Sequence, residues 1–270
     1  MAVPPIIVAA PAVSPARFGL QSAADQVAEN GRIASGIGWE PLPCGPAHTD
    51  PALCGDTPTD RELTDGIGFD TADPIVVYAG FTCHAVGISE QQMRDRAAAA
   101  LATEWVAVEK TVWSETGLRL MSNTVGEQTA VLSATPVSIT RGVGLLEAFL
   151  GASYGGVGVL HAPRAVAAHA ATAQLLGSEP GRLTTPLGNR WAFGSGYPGT
   201  GPDGSAAAAG TTWLVVTGAV TYRRTGVTFR PDTMAQAFDR ADNTIRSVAE
   251  RTYVIAWDDC VRAAVPITLT

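Results

Sequence analysis

Residues 89–114 read SEQQMRDRAAAALATEWVAVEKTVWS, and their pattern is regular enough to fix an architecture. Ser89 with Gln92 three positions on makes a capping box, and Ala, Leu, Glu and Gln fill the interior with good helix formers. Met93, Ala97, Leu101, Trp105, Val108 and Val112 recur at spacings of four and three, so they line one helical face. Gly117 supplies the stop. The pattern predicts a single amphipathic helix of about 37 Å, roughly twice the mean length in globular domains. Such a rod suits the mechanical axis of a subunit. The plain alternative is the long core helix of an ordinary enzyme.

The chain has 270 residues, enough to bury a sizeable core in one large domain or two modest ones. Of these residues 46% are hydrophobic and only 16% charged, so large uncharged areas are expected to meet other protein. Nine of the eighteen prolines fall within the first sixty residues, which argues against regular core structure there. The net charge of −7 argues against a surface built to grip phosphate backbones. It is compatible with a protein that encloses nucleic acid without binding it tightly. Lys110 is the lone lysine among eighteen basic residues.

Cys44, Cys54, Cys83 and Cys260 form no C-x-x-C pair, and no histidine stands at zinc-finger spacing from them. Cys44 and Cys54 are spaced to close a short loop by disulfide, but ordinary reduced cysteines are the default reading. The N-terminal MAVPPIIVAAPAVSPARF lacks a basic leader, and Pro4, Pro5, Pro11 and Pro15 break its apolar run. It reads as an extended arm lying on another subunit, with intrinsic disorder as the alternative. No stretch has the eighteen or so unbroken apolar residues of a membrane span.

Four zones follow along the chain. Residues 1–34 are an arm with a short helix across Phe18–Ala28. Residues 35–86 form an extended ribbon, with strands at Gly36–Glu40 and Ile75–Phe81 around an irregular Pro- and Asp-rich excursion. The long helix comes next, with a strand pair near Leu118–Ser122 and Thr129–Ala134. From 137 to 240 helix and strand alternate: a helix ending at Leu150 against Gly151, a strand Val157–His161 and a helix Pro163–Leu176. Short strands are expected at Arg190–Phe193, Thr212–Thr217, Val220–Arg224 and Val227–Arg230. A long strand Asn243–Trp257 and a final strand Val261–Leu269 close the chain.

Motifs of catalysis are few. Gly151-Ala-Ser153-Tyr-Gly155 matches the nucleophile elbow, but that elbow needs strand, turn and helix, and here the helix comes first. Gly194-Ser-Gly196-Tyr-Pro-Gly199 matches a dinucleotide fingerprint, yet Thr200-Gly-Pro-Asp-Gly204 cannot open the required helix, so a flexible loop is expected. His161 and His169, and His48 and His84 near the cysteines, read as structural or solvated. Asp258-Asp259 is an acidic pair whose side chains point apart on a strand end. Trp105 belongs to the helix core, whereas Trp39 is a candidate for an interface or a buried hinge. No catalytic, cofactor-binding or metal-binding residue is assigned.

The order of these pieces resembles the major capsid protein of tailed bacteriophages, the Hong Kong 97-type fold. Leu145-Leu-Glu-Ala-Phe149, Gly158-Val-Leu-His-Ala-Pro163 and Leu187-Gly-Asn-Arg-Trp191 are similar to the family's A-domain, and Arg246–Val254 to its late strand. The resemblance covers about the last 180 residues. It implies an α+β fold with an N-arm (1–34), an E-loop (35–86), a P-domain (87–136 and 241–270, spine helix 89–114) and an A-domain (137–240). It also implies no enzyme activity, and self-assembly into hexamers and pentamers of an icosahedral head around double-stranded DNA. Scaffolding, portal and decoration proteins are implied as further partners, and the virion, assembled in the host cytoplasm, as the location. Some members weld subunits through an E-loop lysine. Residues 35–86 contain none, so non-covalent contacts are expected. Two alternatives stay open: an encapsulin-like nanocompartment shell, and a soluble α/β hydrolase using Ser153 with His161 or His169.

Overall fold

The computed structural model describes residues 11–28, 32–40, 69–84, 89–114, 120–124, 128–258 and 261–269. Along the chain run α1 (Leu20–Ala23), β1 (Asp25–Gln26), β2 (Ile37–Trp39), β3 (Asp70–Ala72) and β4 (Ile75–His84). Then come α2 (Glu90–Ala100), α3 (Trp105–Ser114), β5 (Ala130–Val131), α4 (Ile139–Ser153), β6 (Val159–Pro163) and α5 (Val166–Thr172). Strands β7 (Gly177–Glu179), β8 (Arg182–Thr184), β9 (Arg190–Gly194), β10 (Thr211–Thr217) and β11 (Val220–Arg224) follow. The chain ends with β12 (Thr228–Arg230), α6 (Met234–Ala237), β13 (Phe238–Asp239), β14 (Thr244–Trp257) and β15 (Arg262–Thr268).

The chain divides into two compact units, one of residues 1–16, 77–104 and 226–251, the other of 17–76, 105–225 and 252–270. In the first unit β12 and β13 pair antiparallel with β14, and Met93 of α2 is buried with Ala237 and Ile245 beside Phe81 and Phe238. Ser89 caps α2 as the sequence predicts: its hydroxyl accepts the Gln92 N–H while the Gln92 side chain accepts the Ser89 N–H.

The second unit is built on a seven-stranded sheet of order β5-β15-β10-β6-β9-β8-β7. Strand β10 is antiparallel to both β15 and β6, and β6 is parallel to β9. Helices α4 and α5 share its core, where Leu146, Leu150 and Val166 meet Trp191, Leu214 and Ile267. Each such side chain is worth about 1.5–3 kcal/mol when fully buried. Elsewhere in this unit β11 pairs antiparallel with Tyr253–Trp257 of β14, and β1 adds parallel to β11.

Several expectations change. Residues 89–114 are helical but not one rod: a 3-10 turn at Leu101–Thr103 separates α2 from α3, and the Glu104 N–H bonds the Leu101 carbonyl. Two features coincide with the break. Thr103 is β-branched, and buried Glu104 is drawn to Arg251. The six residues of the apolar pattern, Met93, Ala97 and Leu101 in one unit and Trp105, Val108 and Val112 in the other, are all buried.

Helix α4 begins at Ile139, where Ser138 accepts the Arg141 N–H as its cap, and runs through Gly151 to Ser153. The helix expected over Pro163–Leu176 shortens to α5, and Pro163 ends a strand. The partner of β2 is β3, in register Ile37↔Ala72, and not Ile75–Phe81, which lies in β4 and pairs β14. The helix expected over Phe18–Ala28 reduces to α1, and Asp25–Gln26 joins a sheet. The second strand of the pair near Thr129 is only Ala130–Val131, although the Thr129 N–H does reach the Ser122 carbonyl. The Cys44–Cys54 loop, His48, Gly117, Asp259 and Cys260 lie outside the described residues.

Candidate functional site

Within the second unit one buried polar group stands on α3. Glu109 is 3% exposed, and its two oxygens hold different parts of the chain. Oε1 accepts the Leu20 N–H at 2.9 Å, and Oε2 accepts the Gly196 N–H at 3.0 Å. Burial pushes this carboxyl above its ordinary range, against the pull of three backbone donors, from Gly196, Leu20 and Ser195, and of Arg164. Gly196 has to be glycine. A Cβ there would sit 2.0 Å from the Val106 carbonyl oxygen. Tyr197 then packs on Trp113, whose ring N–H donates to Thr200 at 3.1 Å.

Beneath Tyr197 lies His161, fully buried on β6. Its Nδ1 is 3.0 Å from the Tyr197 hydroxyl and its Nε2 is 3.0 Å from the Thr217 hydroxyl. Burial drives its pKa down to about 3, so the ring is neutral. A second anchor holds the segment after α1. The Asp25 carboxylate receives Arg182 at 2.5 Å and Arg190 at 2.7 Å. Partial burial pushes Asp25 up, but the bonds from Arg190 and Arg182 outweigh it and hold it below its usual range.

These anchors bear on each motif. Ser153 is the last residue of α4, not the apex of a strand-to-helix elbow, and both ring nitrogens of His161 are engaged elsewhere. That removes the Ser153–His161 pairing of the hydrolase reading. The glycine-rich 194–199 segment is no flexible loop: Gly196 is pinned by Glu109, Tyr197 is buried, and the Trp213 N–H bonds the Gly199 carbonyl. Trp39 is half-buried in its own unit and donates to Asp258 at 3.3 Å, which uses the described half of the acidic pair. His84 ends β4 and His169 lies in α5. No group of three metal-ligating residues occurs among the described residues.

Sequence reasoning passed over Glu109. A signal was present: it stands four residues after Trp105 and four before Trp113, on the flank of the apolar stripe. Asp25 carried no such signal, because its arginines arrive from more than 150 residues away.

No family model matches the chain, and no curated protein matches it in sequence. Solved structures do. The capsid of an empty GTA particle is similar over 99% of this chain and 95% of its own, with a TM-score of 0.58 and 12% identity. The capsid of Ralstonia phage GP4 is similar over 99% and 95%, with a TM-score of 0.53 and 8% identity. A structure of Mycobacterium phage Ogopogo is similar over 98% and 97%, with a TM-score of 0.50 and 16% identity. The chain has the phage capsid fold.

That capsid fold is the Hong Kong 97-type α+β architecture expected from the order of elements. Glu109, Asp25 and His161 tie loops and strands together within the second unit. Some large apolar side chains remain uncovered in the single chain, among them Phe69 at 74%, Tyr78 at 71% and Leu187 at 77% exposed. No helix of the described residues is long and apolar enough to cross a membrane.

Proposed function

We propose that this chain is the major capsid protein of a tailed bacteriophage, assembling with copies of itself into hexamers and pentamers of an icosahedral head around double-stranded DNA. The observation that carries the reading is the capsid fold matched over nearly the whole length of both chains. Charge and composition support it: a net charge of −7 suits an enclosure that does not trap DNA, and 16% charged residues suit a surface largely covered by neighbours. On this reading residues 1–34 are the N-arm, 35–86 the E-loop, 87–136 with 241–270 the P-domain, and 137–240 the A-domain. Rings of A-domains are heterologous contacts closed by rotation. The protein works by position and contact, not by turnover, and resides in the virion after assembly in the host cytoplasm.

Electron microscopy of the purified chain tests this directly. Closed particles are expected, and particles from infected cells should carry a nuclease-protected genome. Particles holding a protein cargo and no DNA would move the reading to a nanocompartment. A monomer at every concentration and ionic strength would end it.

A further inference from the structure

The outward side of α4 carries a groove of about 390 Å³ within the second unit. Val143, Gly144, Glu147 and Ala148 follow one another along it at helical spacing, and Leu175 and Leu187 face them. Two features mark it as unfinished in the single chain. Leu187 is 77% exposed, the most exposed large hydrophobic side chain among the described residues. Glu147 is fixed through Oε2, which accepts from Asn189, while Oε1 is closed off from water with no partner among the described residues. A buried acceptor left unpaired costs about 1–3 kcal/mol, so a turn of the Glu147 carboxylate that brings Oε1 to a donor in the groove is favoured.

The same chain carries a segment with the matching lack. Residues 11–16, Pro-Ala-Val-Ser-Pro-Ala, are exposed throughout and belong to no helix or strand, with Val13 at 62%. No charged side chain occurs in residues 1–16. Pro11 and Pro15 favour an extended backbone, which lowers the entropy lost on docking. The segment leaves from a fixed point, because Arg164 donates to the Arg17 carbonyl and the Phe193 N–H to the Phe18 carbonyl. Six extended residues reach about 20 Å from that anchor.

We propose that the α4 groove is the receiving site for the Pro11–Ala16 arm of a second copy of this chain. Val13 lies in the depression over Gly144, against Val143 and Leu187. A backbone N–H of Ala12–Ser14, or the Ser14 hydroxyl, supplies the donor for Glu147. An extended peptide in an apolar groove is a known mode of recognition, with shape and a few donors fixing the register. The inference rests on the shell reading above and gives it a specific inter-subunit contact.

The test uses full-length chains with Cys44, Cys54, Cys83 and Cys260 replaced by alanine. One chain carries Val13→Cys and the other Gly144→Cys, the two are co-expressed, and assembled particles are oxidised mildly. A Cβ at Gly144 meets nothing within 4 Å, so the probe fits; Ala148→Cys serves as a second one. The expected product is a disulfide-linked dimer with one chain of each kind, absent when either variant is expressed alone. Closed particles without that cross-link from either probe overturn the inference and leave the shell reading standing. So does a doubly substituted chain that closes only on itself. If the parent chain forms no particles at all, the shell reading fails, and the inference with it.

Discussion

Glu109 shows why one side chain can organise a lobe. Its two oxygens take N–H groups from chain segments 176 residues apart, Leu20 and Gly196. Substitution Glu109→Gln keeps the volume but turns one acceptor into an NH2 donor facing a backbone donor. It should cost about 1–3 kcal/mol in denaturant unfolding and speed tryptic cleavage after Arg17, the arm's nearest basic residue. Unchanged stability and cleavage would show that the bonds are incidental. His161 gives a pH prediction. Its folded pKa, about 3, lies below the ordinary 6.5, so the unfolded chain binds the extra proton between these values. Stability is therefore fully present above about pH 6.5 and declines as pH falls toward 3. His161→Gln can still bond Tyr197 and Thr217 but cannot be protonated. Thermal unfolding between pH 6.5 and 4 should flatten in that variant, and an undiminished slope would assign the titration elsewhere.

At the scale of elements, α4 contains a paired experiment. A Cβ on Gly142 would lie 2.6 Å from Ile267 Cγ2, inside a packed core. Gly142→Ala should then destabilise by about 1–3 kcal/mol through overpacking. Gly144, two residues on, meets nothing within 4 Å, and Gly144→Ala should stabilise by up to about 1 kcal/mol through helix propensity alone. Calorimetry of the two variants should give melting shifts of opposite sign. These glycines also explain what the sequence hid. With Gly142, Gly144 and Gly151 in it, α4 looked like a short helix end, because glycine signals a breaker locally while only tertiary packing reveals a close approach. The 89–114 stripe was legible because its period is strong, whereas the Glu104–Arg251 pair beside the turn at Leu101–Thr103 spans 147 residues and leaves no local trace. The strands over 190–194, 211–217, 220–224, 244–257 and 262–268 were read to within one residue at each end, since Gly or charged residues stand at most of their ends. The polar anchors were not, because pairings such as Asp25 with Arg190 leave no local trace. The Ser89 cap was legible, and Ser89→Ala should cost about 1 kcal/mol in unfolding experiments.

For the whole molecule, the distribution of charge matters more than its total. Residues 40–73 carry eight carboxylates, Glu40, Asp50, Asp56, Asp60, Glu62, Asp65, Asp70 and Asp73, against the single Arg61. That stretch accounts for the entire net charge of −7, and the remaining 17 acidic and 17 basic residues cancel. If the chain assembles into a shell as proposed, this acidic stretch is repeated at every subunit, so assembly brings like charges together while the rest of each chain is neutral. Exposed charges repel over about 30 Å at 0.01 M ionic strength and about 8 Å at 0.15 M. Particle formation, followed by light scattering, should therefore be slow and incomplete at low salt and improve as salt is added. A chain with Asp50, Asp56, Asp60 and Asp65 changed to Asn and Glu62 to Gln should lose most of that dependence and assemble at low salt. The opposite slope, assembly weakening with salt, would mean that the acidic stretch meets a basic surface on its neighbour, and the neutralised chain would then assemble worse at every ionic strength. The two outcomes separate self-repulsion from pairing, because screening weakens both but only one of them opposes the lattice.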